Sequence, residues 1–113
     1  MKKLVNDTDF VVEEMIDGYV KAFPNLIEKL EGSGRALVAK ETVSVSKKVG
    51  VIIGGGSGHE PAFMGYIGTG MADGVAIGNI FASPPPQPIL EATEAVNKDA
   101  GMVIFTGIML GTL

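Results

Sequence analysis

The spacing of apolar residues near the start of the chain predicts an amphipathic helix. Apolar side chains recur at intervals of three and four residues, at Val12, Met15, Ile16, Tyr19, Val20 and Phe23. This spacing places them along one side of a helix. Asp7 or Thr8 is suited to cap the start of the helix, and Pro24 cannot continue it. A second, short helix is predicted from residue 25 to 31, ending at Gly32.

Farther along the chain, the apolar residues form short continuous runs. Four runs are bounded by glycine or charged residues: ALVA (36–39), VGVII (49–53), GVAI (74–77) and MVIF (102–105). Runs without alternation suit strands that are covered on both faces, which is typical of parallel sheets. Helices are expected at 61–67 and 88–97. The residues expected to share one face of the latter are Ile89, Leu90, Thr93 and Val96. The pattern predicts an α/β fold with an open, mostly parallel sheet, flanking helices and right-handed crossovers.

Composition narrows the possible classes of protein. The chain has 113 residues, of which 46% are hydrophobic, and this is typical of one small globular domain. A net charge of −4 without a basic cluster argues against nucleic-acid binding. The absence of cysteine excludes a disulfide framework, a thiolate metal site and a catalytic cysteine. The most apolar segment, 102–113, is shorter than the roughly 20 residues of a membrane span, and MKKLVNDTDF lacks the core of a signal peptide. We therefore expect a cytoplasmic protein with no membrane partner.

The stretch VIIGGGSGHEPAF (51–63) is the strongest candidate for a binding site. The glycines between residues 54 and 58 follow a predicted strand and could expose successive main-chain N–H groups as a cradle for polar ligands. Pro61 is suited to begin the next helix. Neither the dinucleotide fingerprint nor the phosphate loop fits the spacing. A glycine turn that only allows strand and helix to pack closely remains the alternative.

His59 is the only histidine of the chain and lies beside these glycines. Neutral imidazole accepts a proton near pH 7, so His59 could act as a general base for a substrate hydroxyl. A surface or helix-capping histidine is the alternative. Ser83 lies in a second polar stretch, GNIFASPPPQP (78–88). If the strands predicted at 49–53 and 74–77 are neighbours, Ser83 lies with the glycines in a small polar pocket. The alternative is that Ser83 only helps to begin the following helix.

Four motifs together resemble one known family. MKKLVND, GGGSGHEP, GYIGTGM and IFASPPP are similar to the amino-terminal part of the substrate-binding subunit of dihydroxyacetone kinases, from Met1 to about Phe105. The resemblance implies phosphorylation of dihydroxyacetone, a small keto sugar, with His59 as base or hydrogen-bond partner. The residues that it implies at the substrate site are Gly56, Ser57, Gly58, His59 and Ser83. It implies no bound metal in this chain.

The resemblance also implies partners. ADP or ATP with magnesium is expected on a separate nucleotide-carrying kinase subunit or on a fused domain, because this chain has no nucleotide motif of its own. The phosphoryl donor would be a phosphotransferase relay or ATP directly. The full-length subunit is expected to form a homodimer.

Beyond Phe105, the chain departs from the pattern of this family. The family carries a lysine and an aspartate there, where this chain reads TGIMLGTL, and a second, substrate-binding histidine that this chain lacks. We therefore expect a truncated part of a larger subunit, inactive as it stands. Two other hypotheses remain: a dihydroxyacetone-sensing relative that acts on a transcriptional regulator, and a plain structural or interaction domain.

Overall fold

The computed structural model of the protein describes residues 4–43 and 47–107, apart from the side chains of Thr42 and Val43. The beginning of the MKKLVND motif and the apolar residues 108–113, on which part of the expected departure from the family falls, lie outside the described residues.

The first predicted helix is confirmed as α1, Val11–Ala22. A 3₁₀ turn, Thr8–Phe10, leads into it, and the Asp7 carboxylate accepts a hydrogen bond from a main-chain N–H of that turn at 2.9 Å. Val12 and Ile16 are one helical turn apart and are the buried residues of α1. The apolar stripe therefore faces the core, as the spacing predicted.

The short second helix predicted at 25–31 is wrong. This segment contains strand β1, Ile27–Lys29, which pairs antiparallel with β2, Ala36–Ala39. The turn between them uses Gly32 and Gly34 at φ values of 120° and 75°. An isolated helix shorter than about 12 residues is marginal, whereas the hairpin buries the first residue of β1 against the sheet.

The four apolar runs are all strands, and the sheet that they form is mixed. The remaining strands are β3, Gly50–Ser57, β4, Gly74–Ile80, and β5, Met102–Thr106, and the strand order is β1-β2-β4-β3-β5. β3 is parallel to both of its neighbours, β4 and β5, whereas β2 is antiparallel to β1 and β4. Four of the five strands therefore run in the same direction and only β2 is reversed, which agrees with the predicted open, mostly parallel sheet. The connection between β1 and β2 is short, and a short turn can join neighbouring strands only when they are antiparallel. β2 is buried on both faces, so its apolar pattern does not indicate the direction in which it runs.

The two helices cover opposite faces of the sheet. The buried residues on the α1 side are Val12, Ile16, Ile27, Leu37, Ala39, Met64, Ile67, Val75 and Ile77. Those on the other side, against helix α2 (Pro86–Val96), are Ala36, Val38, Ile52, Ala92 and Val96. This arrangement confirms an open α/β sheet with flanking helices. No helix within the described ranges is both long and apolar enough to span a bilayer.

Two helix predictions need correction. α2 begins two residues before the predicted segment, and its buried residues are Pro88, Ala92 and Val96, whereas Leu90 is 50% exposed. The helix predicted at 61–67 is absent, and the segment forms turns with a 3₁₀ turn at Met64–Tyr66. Glycines at 65, 68 and 70 disfavour a continuous helix there.

Candidate functional site

The glycines at 54–56 lie within β3, and this corrects the prediction of an open amide cradle. β3 is paired with β4 on one side and with β5 on the other. A Cβ on Gly54 would lie 3.0 Å from the Ala76 carbonyl oxygen, and one on Gly56 would lie 2.8 Å from the Ala82 carbonyl oxygen. These glycines therefore allow close packing of neighbouring segments, which was the alternative interpretation.

Gly58 is the glycine of this stretch that adopts a left-handed conformation, with φ at 111°. Its N–H donates to the Glu60 carboxylate at 3.1 Å. The Phe81 ring lies against it, because a Cβ on Gly58 would be 2.7 Å from Cε1 of that ring. The N–H of Phe81 in turn donates to the Ser57 carbonyl oxygen at 2.7 Å. The turn after β3 is thus shaped by Gly58 and covered by an aromatic ring.

The side chain of Ser57 is directed into the protein. Ser57 is 1% exposed, and its hydroxyl donates to the Gly78 carbonyl oxygen at 2.8 Å. This bond joins β3 to β4 where their register shifts between Gly55 and Ser57. A buried hydroxyl that is already bonded stabilises the strand ends. A contact between Ser57 and substrate stays a prediction.

His59 is exposed on the turn that follows β3. Its imidazole meets the Phe63 ring edge to face, with ring centroids 5.3 Å apart and an interplanar angle of 88°. Residues 60–63 form a turn in which the Glu60–Pro61 and Ala62–Phe63 peptide bonds are cis. Pro61 therefore does not begin a helix, contrary to the prediction. His59 is exposed to solvent as expected, and its role as a base stays a prediction.

A small cavity of about 100 Å³ lies where β3, β4 and β5 end beside the entry to α2. Its lining consists of Ile52, Gly54, Gly55, Ala76, Ser83, Pro84, Ile89, Ile104, Thr106 and Gly107. The structure therefore brings Ser83 to two of the predicted glycines, because β3 and β4 are neighbours as the sequence analysis required. The other candidates, Gly56, Ser57, Gly58 and His59, lie beyond this lining.

Four residues at this end of the sheet were missed by sequence reasoning. Thr106 and Gly107 line the cavity because β5 ends beside β3, and its parallel pairing with β3 is the signal that could have found them. Phe63 and Phe81 contact the turn of His59 and Gly58 through space. Nothing in the apolar pattern distinguishes these two rings from ordinary core residues.

A second, more polar cleft of about 290 Å³ opens between α1, the β1–β2 hairpin and α2. It is lined by Glu13, Ser33, Arg35, Ile77, Asn79, Pro85, Gln87 and Pro88. The Arg35 side chain is only 15% exposed and pairs with Glu13 at 2.6 Å, and this hydrogen bond lowers the pKa of Glu13. Hydrogen bonds from Ser33 likewise lower the pKa of Glu91 and attach the hairpin turn to α2.

The pair of Glu13 and Arg35 predicts a small pH dependence of stability. Because the pKa of Glu13 is lowered in the folded state, the pair stabilises the fold above the unfolded pKa of about 4.3, and the contribution is lost as pH falls through the folded value. Glu13 is half exposed, so we expect less than about 1 kcal/mol at pH 7. The measurement is the coupling energy of an E13Q/R35Q double-mutant cycle by urea unfolding at pH 7 and at pH 3. A coupling energy that is equal at pH 7 and at pH 3 would contradict a stabilising ion pair between Glu13 and Arg35.

Comparison with known proteins gives matches over nearly the whole chain. A model of the Dak1 domain matches residues 17–110. A dihydroxyacetone-binding subunit, DhaK, of a PTS-dependent dihydroxyacetone kinase from Listeria innocua is 42% identical over 98% of this chain and 33% of its own length. The chain thus spans about a third of the length of this curated relative.

Solved structures show the same likeness. The dihydroxyacetone kinase of C. freundii matches with a TM-score of 0.83 and 38% identity, over 91% of this chain and 19% of that one. A dihydroxyacetone kinase operon co-activator, Dha-DhaQ, matches with a TM-score of 0.70 and 35% identity, over 81% of this chain and 27% of that one. The fold therefore occurs both in a kinase and in a co-activator.

Proposed function

Because the chain belongs to the Dak1 domain family, we propose that it forms the amino-terminal part of the dihydroxyacetone-binding subunit of a kinase. The proposal covers residues 1–113 as part of a larger α/β subunit and, in line with the sequence analysis, assigns no turnover to this part alone. Its support is the relative from Listeria innocua, a dihydroxyacetone-binding subunit that is 42% identical. The whole subunit would be a cytoplasmic homodimer.

The observation that carries the proposal is the placement of polar groups at the carboxyl ends of the parallel strands. Ligands of open α/β sheets bind at this edge. The turn after β3 presents the imidazole of His59 to solvent beside Phe63, on the α1 side of the sheet. A cavity at the same edge, on the α2 side, is lined in part by Gly54, Ser83 and Thr106. The cavity of about 100 Å³ has room for a small keto sugar. Its lining is mostly apolar, and the hydroxyl groups of Ser83 and Thr106 are its side-chain hydrogen-bonding groups.

The proposed chemistry assigns distinct tasks to these groups. Ser83 hydrogen-bonds one hydroxyl of the keto sugar, and His59 accepts the proton of the terminal hydroxyl whose oxygen attacks phosphorus. A nucleotide-carrying kinase subunit would hold ATP with magnesium and supply its γ-phosphoryl group, with ADP as the leaving group; bound ADP is recharged by a phosphotransferase relay or exchanged for ATP. Catalysis of phosphoryl transfer depends mainly on position and charge, so this chain contributes substrate orientation and a proton acceptor.

Titration with dihydroxyacetone tests the binding step. Amide signals of residues 54–59 and Ser83 are expected to shift saturably in ¹⁵N spectra as dihydroxyacetone is added. Glycerol, which lacks the ketone, is expected to cause smaller shifts or none. His59→Ala is expected to weaken binding about two- to tenfold, the contribution of one hydrogen bond. Asn25→Ala, an exposed polar change between α1 and β1, serves as the control. Shifts scattered over the chain, or equal affinity of the His59 variant, would contradict the proposal.

The co-activator match favours a second candidate function. A chain of this fold could bind dihydroxyacetone and act on a transcriptional regulator, because a co-activator is 35% identical with a TM-score of 0.70. The two candidates differ in their partner. A nucleotide-carrying kinase subunit that broadens the amide signals around His59 on addition supports the kinase function, and broadening by a regulator alone supports the second candidate.

A further inference from the structure

We propose that Phe63 is a positioning residue that holds the imidazole of His59 in one orientation. The proposal starts from the contact between the two rings. Their centroids lie 5.3 Å apart at an interplanar angle of 88°, which is the edge-to-face arrangement that aromatic pairs prefer. An exposed side chain without such a contact populates several staggered rotamers, so the contact selects among them.

The ring of Phe63 is itself held firmly in place, as a positioning group must be. A Cβ on Gly55 would lie 2.7 Å from Cζ of Phe63, and a Cβ on Gly107 would lie 3.0 Å from its Cε2. The ring therefore packs directly against the main chain of Gly55 in β3 and of Gly107 at the end of β5, two adjacent strands. It also packs against the buried cluster on the α1 side of the sheet.

The main chain links the two residues as well. The N–H of Ala62 donates to the His59 carbonyl oxygen at 3.3 Å, and the N–H of Tyr66 donates to the Phe63 carbonyl oxygen at 3.1 Å. The first bond closes the turn between residues 59 and 62, and the second holds the residues that follow Phe63. Glycine at positions 55 and 107 makes space for the ring. Phe63 thereby connects the packing of the sheet to the orientation of the one imidazole in the chain.

The consequence for ligand binding rests on the proposed function. If His59 receives a hydroxyl proton of the keto sugar, its imidazole must point at the substrate before binding, because ordering it afterwards costs affinity. Loss of the aromatic contact is expected to weaken dihydroxyacetone binding about two- to tenfold. Phe63 itself touches no ligand in this proposal.

The single histidine makes the test direct, because its imidazole signals in a ¹H–¹³C spectrum have no other source. In the ligand-free protein, Phe63→Leu is expected to remove the ring-current displacement of these signals, and Phe63→Tyr is expected to retain it. Phe23→Leu, the same change at a half-exposed ring that contacts Tyr19, should leave the imidazole signals unmoved. This readout needs no ligand, so it stands whether or not dihydroxyacetone binds.

A direct measurement covers the case in which Phe63→Leu does not fold. Nuclear Overhauser effects between the imidazole protons of His59 and the ring protons of Phe63 are expected in the unmodified protein. Their presence in the unmodified protein supports the proposal, also where Phe63→Leu does not fold. Their absence, or imidazole signals that are the same in Phe63→Leu and the unmodified protein, overturns it.

Discussion

Replacing Gly78 by alanine is expected to lower the free energy of unfolding by about 3 kcal/mol. A Cβ at this buried position would lie 2.7 Å from the main-chain nitrogen of Pro84 and closer still to the Ala82 carbonyl oxygen. Both are backbone atoms, which cannot turn aside as a flexible side chain can. The carbonyl of Gly78 also accepts the buried hydrogen bond from Ser57, so a shift of β4 would break it.

Urea unfolding at neutral pH measures this change. The free energy of unfolding of a small domain is about 5–15 kcal/mol in total. The urea concentration at the unfolding midpoint should therefore fall substantially, while the dependence of the free energy on urea concentration stays the same. Gly18→Ala is the matched control, because Gly18 lies exposed within α1 with no atom near its missing Cβ. We expect that change to stabilise the protein by about 0.5–1 kcal/mol. A Gly78 variant as stable as the unmodified protein would show that the loop after β4 can move away freely.

Replacing Gly58 by alanine is expected to lower the affinity for dihydroxyacetone about tenfold or more. With φ at 111°, a side chain here costs about 1–3 kcal/mol of strain, and its Cβ would lie 2.7 Å from the Phe81 ring. The turn can relieve this strain only by leaving its present conformation. The apparent affinity for dihydroxyacetone is proportional to the fraction of molecules whose turn keeps the binding-competent conformation. Each 1.4 kcal/mol of free energy changes the dissociation constant about tenfold.

The measurement is the amide titration with dihydroxyacetone, run beside Gly34→Ala. Gly34 also has a positive φ, at 75°, but it lies in the β1–β2 turn with no atom near its missing Cβ. Its variant should lose stability through the same backbone strain and yet keep the affinity of the unmodified protein. Equal affinity losses in both variants would trace the effect to general destabilisation and contradict a role for the turn at Gly58.

Four strands could be predicted from the sequence because each is a short, continuous apolar run. The expected burial on both faces holds for β2, whereas β5, at the edge of the sheet, is mostly exposed. The runs at 36–39 and 102–105 coincide with β2 and β5 almost residue for residue. The direction of β2 could not be predicted, since a strand buried on both faces reads the same in either direction. The segment 25–31, which contains β1, was mistaken for a helix. Seven residues are too few to distinguish the apolar spacing of a helix from that of a strand.

The candidate site was predicted in part. Ser83 was expected beside the glycines if β3 and β4 were neighbours; they are, and Ser83 shares a cavity with Gly54 and Gly55. A substrate role for these residues stays a prediction. The conformation of the glycines was wrong at residues 54–56, because glycine serves both for unusual φ values and for close contact, and a sequence does not distinguish the two uses. The support of His59 by Phe63 depends on the path of the turn, which no local pattern encodes.

The strand order has a consequence for synthesis on the ribosome. β2 and β3 do not pair with each other, because β4 lies between them and bonds to both. Until β4 has left the exit tunnel, β3 has no earlier strand to pair with, and the β1–β2 hairpin keeps an unpaired edge at β2. Both are then open to chaperones or to wrong association. A translational pause while β3 is outside the tunnel and β4 is still inside it would therefore prolong the period in which the nascent chain is most vulnerable.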